Sequence, residues 1–348
     1  MMITDSANLQ DPHAASSTEQ LLQMIYGTII TQMVAVAAQL KIADFLDGDP
    51  KSVEDLAAAT DTHAPTLYRL LRALAHLGIF AETAPQHFTL TPLASLLQSD
   101  APDSLQRYAI LFGTPLWYGS LTNLLRSVQT GGSALEITFG MKLFEYLQQH
   151  PADGAIFNEA MTSVSRQEAI AVREAYDFSP LRTLVDVGGG HGMLLTTIVK
   201  ANPALKGILF DRPAVVEGAR ALMQQEGVSD RCQLLGGDFF TAVPKGGDAY
   251  VLKYIIHDWD YERARKILSH CREAMRPDSR VLVVDVVFPT GNTPFVGKLK
   301  DMVMLSVSPS GMERTAAEFQ DLFSESGFKL NRIIATNSIV SIIEGMPE

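Results

Sequence analysis

Leu184-Val185-Asp186-Val187-Gly188-Gly189-Gly190-His191-Gly192 is the stretch that decides the fold. An apolar, β-branched run leads into four glycines, and a helical pattern over Met193–Lys200 follows at once. Glycine lets the backbone turn sharply and approach a ligand closely. A helix N-terminus placed there adds free N–H groups and positive potential. Strand, glycine loop and helix in this order open an α/β nucleotide-binding domain.

The glycine spacing separates two kinds of ligand. The dinucleotide fingerprint G-x-G-x-x-G fails, because from Gly188 it needs glycine where Met193 stands, and from Gly189 where His191 stands. D-x-G-x-G-x-G fits, through Asp186, Gly188, Gly190 and Gly192. A loop with an acid beside it suits a ligand that carries an ammonium and no pyrophosphate, as the aminocarboxypropyl end of S-adenosylmethionine does. Farther on, Asp211 in Phe210-Asp211-Arg212-Pro213 stands where an acid can accept both ribose hydroxyls. Asp238 and Phe239 in Gly237-Asp238-Phe239-Phe240 stand where a carboxylate meets the adenine amino group and a ring covers the base. Taken singly, Asp211 and Asp238 read equally well as helix N-caps.

Around the loop, apolar runs alternate with amphipathic segments: Thr183–Val187, Gly207–Phe210, Cys232–Leu235, Ala249–Lys253 and Val281–Val287. This alternation predicts parallel strands with crossover helices. Two last runs, Lys329–Ala335 and Ser338–Ile343, have only Thr336-Asn337 between them, which predicts an antiparallel hairpin. A seven-stranded Rossmann-like α/β sheet closed by a C-terminal hairpin is expected, of the class I methyltransferase kind.

Tyr254-Ile255-Ile256-His257-Asp258-Trp259 follows the fourth run, so His257 faces the ligand crevice at the carboxyl ends of the strands. A phenol is mostly protonated at neutral pH, and a positioned imidazole removes its proton. Such a base needs a carboxylate on its other nitrogen. Asp285 and Glu313 are candidates, and Asp258 is equally a cap for a helix starting near Asp260. Alone, His257 is also readable as a packed histidine at a strand end. His191 is a rival, placed beside the amino acid end of the ligand.

The first 180 residues read as mostly helical, with helical spacing over Ala35–Ala43 and Leu67–Leu77 and a short strand pair near Ile79–Ala81 and His87–Leu90. Residues 52–74 read as helix-turn-helix with a wing over 79–90. A loose arm is expected over 1–17, a winged-helix-like module over 18–110, a helical linker and acceptor region over 111–180, and the ligand-binding domain over 181–348. Its boundary falls near Phe178-Ser179-Pro180. The winged helix invites a DNA-binding reading, but Arg69 and Arg72 are the only cations of its second helix and the net charge is −11.

With 348 residues, 47% of them hydrophobic and 19% charged, the chain has ample core for two domains. No run reaches the roughly 18–20 apolar residues of a membrane span, since Met33–Leu46 is cut by Gln39, Lys41 and Asp44. No secretory leader is visible. Cys232 and Cys271 form no C-x-x-C pair and are expected as buried thiols. A cytoplasmic protein that binds neither nucleic acid nor membrane is expected.

These motifs together resemble the plant caffeate-type and bacterial small-molecule O-methyltransferases, over roughly residues 20 to 345. The likeness rests on Leu184 to Gly190, Asp211-Arg212-Pro213, Gly237-Asp238-Phe239-Phe240, Gly247-Asp248-Ala249, Lys253, His257-Asp258-Trp259 and Glu313-Arg314-Thr315 with Glu318-Phe319. It implies His257 as catalytic base bracketed by Asp285 and Glu313. It implies S-adenosylmethionine held by Gly188, Asp211, Asp238, Phe239, Lys253, Trp259 and Ser165, which Gly190 of the glycine loop joins, and no metal is expected. Met161 and Met304 resemble residues that pin the acceptor ring. Phe157 is a further expected pocket residue, and Phe112 and Trp117 are core first and pocket lining second. The resemblance also implies a homodimer through the N-terminal domain, with helices of one subunit completing the other's site. Asp285 departs from the usual glutamate of plant members, and Ser310-Gly311-Met312 from the usual Gly-Gly-Lys, so the departures bear on the acceptor.

Rival readings are N- or C-methyl transfer on the same scaffold, decarboxylation or hydroxylation by a drifted relative, and a winged-helix regulator that senses the cofactor. Retention of His257 with two carboxylates disfavours drift, and the weakly basic recognition helix disfavours a regulator. The failed spacing disfavours an NAD oxidoreductase. No clustered acids for Mg²⁺ stand at the strand ends, against a metal-dependent catechol enzyme.

Overall fold

A computed structural model describes residues 16–308 and 310–348. The chain divides at Gly113/Thr114 into two compact units. Of the expected arm, all but Ser16 and Ser17 lies outside the described residues. Those two begin a helix, Ser17–Ile25, closed by a capping box: Ser16 Oγ accepts from Glu19 N–H at 3.2 Å and Glu19 accepts from Ser16 N–H at 2.7 Å.

The first unit carries helices Gly27–Gln39, Val53–Thr60 and Ala64–His76, followed by an antiparallel hairpin of Phe80–Ala84 with His87–Leu90. The helix read over Ala35–Ala43 is broken after Gln39, because Lys41 turns left-handed at φ 54° before Ile42–Phe45 resumes. Lys51–Ser52 adds a third short strand against His87 and Phe88, too short to carry a pattern in the sequence. Leu56, Leu71, Leu74, Phe80 and Phe88 form the core of this unit.

In the second unit the sheet strands are β1 (Thr183–Val187), β2 (Lys206–Asp211), β3 (Cys232–Gly236), β4 (Ala249–Lys253), β5 (Arg280–Asp285), β6 (Phe328–Ala335) and β7 (Ser341–Pro347). Their spatial order is β6-β7-β5-β4-β1-β2-β3. β1 to β5 run parallel, and β7 is antiparallel to both β5 and β6, as expected. Helices α1 (Pro151–Ala175), α2 (Met193–Ala201), α3 (Pro213–Gln225), α4 (Tyr261–Ala274), α5 (Gly297–Val307) and α6 (Ala316–Glu325) complete the frame.

Alternation along the strands explains why both faces are covered. Leu184, Val251, Leu282 and Val284 pack against α2 and α3 through Leu195, Ile198 and Val216. Their neighbours Val185, Tyr250, Leu252, Val281 and Val283 face the other way, against Ile267 and Leu268 of α4 and Phe319 and Phe323 of α6. Each such fully buried aliphatic side chain contributes about 1.5–3 kcal/mol.

Two boundaries differ from the pattern. The run Val281–Val287 splits after Asp285, because Val287 leaves the sheet to pair with Arg314. The final hairpin turns over 336–340 rather than two residues: Thr336 Oγ1 accepts from Ser338 N–H and donates to Val340 O, so β7 starts at Ser341. Cys271 is buried and Cys232 only partly so, and both are free.

Glu344 of β7, 1% exposed, ties the hairpin to the sheet. It accepts from Tyr176 Oη at 2.7 Å, Asn331 Nδ2 at 2.8 Å and Arg332 Nε at 2.6 Å. Glu344→Ala is expected to lower stability on the order of 2 kcal/mol, since Arg332 is solvated and only part of the array is left unsatisfied. Urea denaturation checks this by a lower midpoint at unchanged slope.

Candidate active site

Strand order reverses at β1, which lies between β2 and β4, so the crevice opens at the carboxyl ends of these strands. The glycine loop leaves β1 there. Gly188 and Gly190 adopt φ 71° and 58°, which L side chains rarely take. A side chain at Gly188 would run into Ile255, whereas around Gly190 nothing lies within 4 Å of an added Cβ. That open side is space for a ligand against the start of α2.

Asp211, at the end of β2, accepts from Gly190 N–H at 2.9 Å and from Arg212 N–H at 2.7 Å. The N-cap of α3 is Arg212, so Asp211 fastens the glycine loop instead of capping. Asp238 is exposed past β3 and accepts from Phe240 N–H at 2.8 Å, a turn that caps no helix. Phe240 meets Trp259 edge to face at 4.8 Å and Phe239 at 5.0 Å, so Asp238 stands beside an aromatic wall. Asp186 is 1% exposed and its Oδ2 has no hydrogen-bond partner. Burial pushes its pKa up to about 7, against the pull of Lys253. An open loop, a carboxylate on the adjacent strand and an orphaned buried oxygen fit an S-adenosylmethionine-type ligand with its ammonium and ribose.

Lys253, at the end of β4, pairs with the buried Glu168 of α1 at 2.9 Å. Tyr254 Oη donates to the other oxygen of Glu168. Phe157, Met161, Ser165 and Glu168 follow one another at intervals of four and three along α1, one stripe of the helix. The Glu168 bonds therefore turn that stripe toward the end of β4. Ser165 and Met161 are half-buried on it, and Phe157 packs on buried Trp117 at 6.2 Å. Phe112 belongs to the first unit, tilted on Tyr108 at 4.8 Å in the wall of an apolar cavity of about 370 Å³ with Ile30, Val34 and Leu97.

His257 sits in a single 3₁₀ turn, Ile256–Asp258, and is 7% exposed. The segment before α6 staples this turn in place. Arg314, 1% exposed, donates to Ile256 O at 2.9 Å and Trp259 O at 2.8 Å, and Met312 N–H donates to His257 O at 2.8 Å. Between these bonds Glu313 reaches His257 Nδ1 at 3.0 Å, and its own N–H is held by Asp301 Oδ1 at 2.9 Å. Of the two carboxylates read as orienting candidates, Glu313 holds the hydrogen bond, and Asp285 lies 3.6 Å from Nδ1. Asp258 comes to 3.5 Å from Nε2, while the cap of α4 is Asp260. His191 lies elsewhere, its ring against Gly218 of α3.

With Nδ1–H donated to Glu313, the lone pair of His257 is on Nε2. Burial pulls the pKa of His257 down, but Asp285 and Glu313 outweigh it and the net position is above 6.5. Asp285, 0% exposed, is pushed by burial up to about 7, with Glu313 adding to the rise. Burial acts on Glu313 too, yet the His257 hydrogen bond and Lys300 keep it below the usual range. Of these two neighbouring buried carboxylates, Glu313 is thus held below the usual range and Asp285 above it. Met304 is buried on α5, with Sδ-methyl 3.0 Å from a Cβ built at Gly311, next to His257 O.

Three residues of this cluster carried no reading in the sequence. Glu168 looks like any acid of an amphipathic helix, Lys300 like a solvated lysine, and Tyr254 like strand-end packing. Tyr254 takes φ 56°, a left-handed backbone that costs about 1–3 kcal/mol and persists because the surrounding contacts hold it.

A family model described as an O-methyltransferase domain matches residues 118–329, and one described as an O-methyltransferase dimerisation domain matches residues 22–100. The chain is 47% identical over 327 residues to a phenazine O-methyltransferase of Lysobacter antibioticus, covering 94% of this chain and 95% of that one. It is 31% identical over 319 residues to a phenazine-1-carboxylate N-methyltransferase of Pseudomonas aeruginosa, covering 92% and 94%. Among solved structures, the S-adenosylhomocysteine-bound form of a methyltransferase in calicheamicin biosynthesis matches with a TM-score of 0.88 at 34% identity, covering 96% of this chain and 100% of that one.

Proposed function

The chain belongs to the S-adenosylmethionine-dependent O-methyltransferases, and from that premise we propose that it methylates a phenolic or enolic hydroxyl of a flat aromatic small molecule, with His257 as general base. The observation that carries the reading is the buried His257–Glu313 hydrogen bond of 3.0 Å, which leaves Nε2 as the basic nitrogen. A hydroxyl near Nε2 gives up its proton as its oxygen attacks, and the imidazolium formed is stabilised by Glu313 and by Asp258 at 3.5 Å. Bound S-adenosylmethionine supplies an electrophilic methyl group on a good leaving group. Gly188, Gly190, Asp211, Asp238, Phe239, Lys253, Trp259 and Ser165 are the residues that would hold it.

Met161, Met304, Phe157 and Trp117 supply the apolar, polarisable wall that a planar ring system needs. The phenazine methyltransferases among the relatives make a hydroxylated phenazine the first acceptor to try. The helix Ser17–Ile25 buries none of its residues, and Leu21, Met24 and Ile25 are 59%, 75% and 64% exposed. With a dimerisation domain over 22–100, this supports a homodimer. Among the described residues no single helix is long and apolar enough to cross a membrane. Free thiols fit the cytoplasm as its compartment.

The test is incubation with methyl-labelled S-adenosylmethionine and a panel of hydroxylated phenazines, simple phenols and their amino analogues. The expected product is a methyl ether formed in step with S-adenosylhomocysteine. Label found only on nitrogen, across a panel containing both groups, would sink the O-transfer reading. Sedimentation at twice 38.0 kDa checks the dimer, and a sharp monomer would refute it.

A further inference from the structure

Behind the base lies an array that the reaction as described leaves unused. The Tyr254 ring is stacked on the His257 imidazole, with centroids 4.8 Å apart and planes 16° from parallel. The Lys300 ammonium lies 3.5 Å from the centroid of the same ring, and Lys253 Nζ lies at 4.4 Å. Lys300 Nζ is also 3.3 Å from Glu313 Oε1, the oxygen that His257 Nδ1 uses. Tyr254 holds this position with a left-handed backbone and with its hydroxyl anchored on buried Glu168.

We propose that Tyr254 and Lys300 are positioning residues for the base: the Tyr254 ring holds the Lys300 ammonium beside Glu313, and the ammonium limits how tightly Glu313 binds the His257 proton. The proposal rests on the reading of His257 as base. The groups facing His257 are Asp258 from its own turn, Asp285 from β5, Glu313 from the segment before α6, Lys300 from α5 and Tyr254 from the end of β4. Lys253 and Glu168 stand behind the tyrosine, and Arg314 holds the turn from below. Three carboxylates thus surround one imidazole. Whichever of them is ionised, Glu313 above all, favours the protonated imidazole, which cannot take a proton from an acceptor.

His257, Asp285 and Glu313 lie close together, and Lys300 is the cation set against Glu313. Coulombic influence of Lys300 on His257 is in the lowering direction, as the geometry requires. A cation on an aromatic face is held in place without giving up a hydrogen bond, so the ring fixes the ammonium while leaving Glu313 Oε1 to His257.

The experiment is an NMR titration of labelled imidazoles in the full chain saturated with S-adenosylhomocysteine, His257 being assigned by its loss in His257→Gln. Lys300→Met is expected to raise the proton affinity of His257 about tenfold, one pKa unit, and Lys300→Arg to restore it to within about threefold of wild type. Tyr254→Leu should move it the same way as Lys300→Met, and Tyr254→Phe, which keeps the ring, less. If the His257 titration does not move in Lys300→Met, or, should that variant not fold, in Tyr254→Leu, the pair has no such role. Methyl transfer by His257→Gln to a hydroxyphenazine at the wild-type rate would instead overturn the base reading itself, and the proposal with it.

Discussion

Replacing His257 by glutamine is expected to lower kcat for methyl transfer to a phenolic acceptor by about 10²- to 10⁴-fold while leaving S-adenosylmethionine affinity unchanged. Glutamine keeps an N–H for Glu313 Oε1, so the turn held by Arg314 and Met312 stays in place. What is lost is the basic Nε2. Steady-state kinetics and calorimetry on the same preparation separate the two effects, and a parallel loss of cofactor binding would make His257 a structural residue. The acid limb of the wild-type profile carries the same information. The base works deprotonated, and Asp285 and Glu313 outweigh burial to raise its pKa, so activity is lost as pH falls from a point above 6.5.

The second large effect is at Asp211. Asp211→Ala is expected to weaken S-adenosylmethionine binding on the order of 100-fold. One carboxylate both accepts from Gly190 N–H at 2.9 Å and retains lone pairs for the ribose hydroxyls, and each hydrogen bond to a charged group is worth about 1.5–3 kcal/mol. Asp211→Asn keeps one acceptor oxygen and should fall between. Calorimetric titration reads this directly. Wild-type affinity in Asp211→Ala would mean that the carboxylate serves only the loop.

The parts of this architecture that the sequence made legible are those written in local pattern. The failed dinucleotide spacing at Met193 and His191, the β-branched run ahead of Gly188, and two apolar runs too close for a helix give the seven strands and their hairpin. Asp211 and His257 are legible because strand ends face the crevice. The pieces that stayed hidden are set by distant partners. Glu168 meets Tyr254 across 86 positions and Lys253 across 85. Nothing in either neighbourhood marks the pairing. Arg314 stands in a quoted motif, but its task, holding the carbonyls of Ile256 and Trp259, appears only once the two segments are side by side. Asp248, also in a quoted motif, is a backbone clamp, accepting from Arg182 and Thr183 N–H at 2.7 and 2.8 Å to start β1. Boundary errors have the same origin: Val287 leaves β5 for Arg314, and Lys41 breaks a pattern that its neighbours would have continued.

The claim at the centre is that His257 removes the acceptor's proton. The direct measurement is the ratio of wild-type to His257→Gln kcat/KM on two hydroxylated aromatics of the same shape, one an ordinary phenol with a pKa near about 10 and one made acidic enough by ring substituents to be ionised at neutral pH. The account predicts a loss of about 10² or more on the first and almost none on the second, where no proton remains to be taken. Equal losses on both acceptors would contradict it.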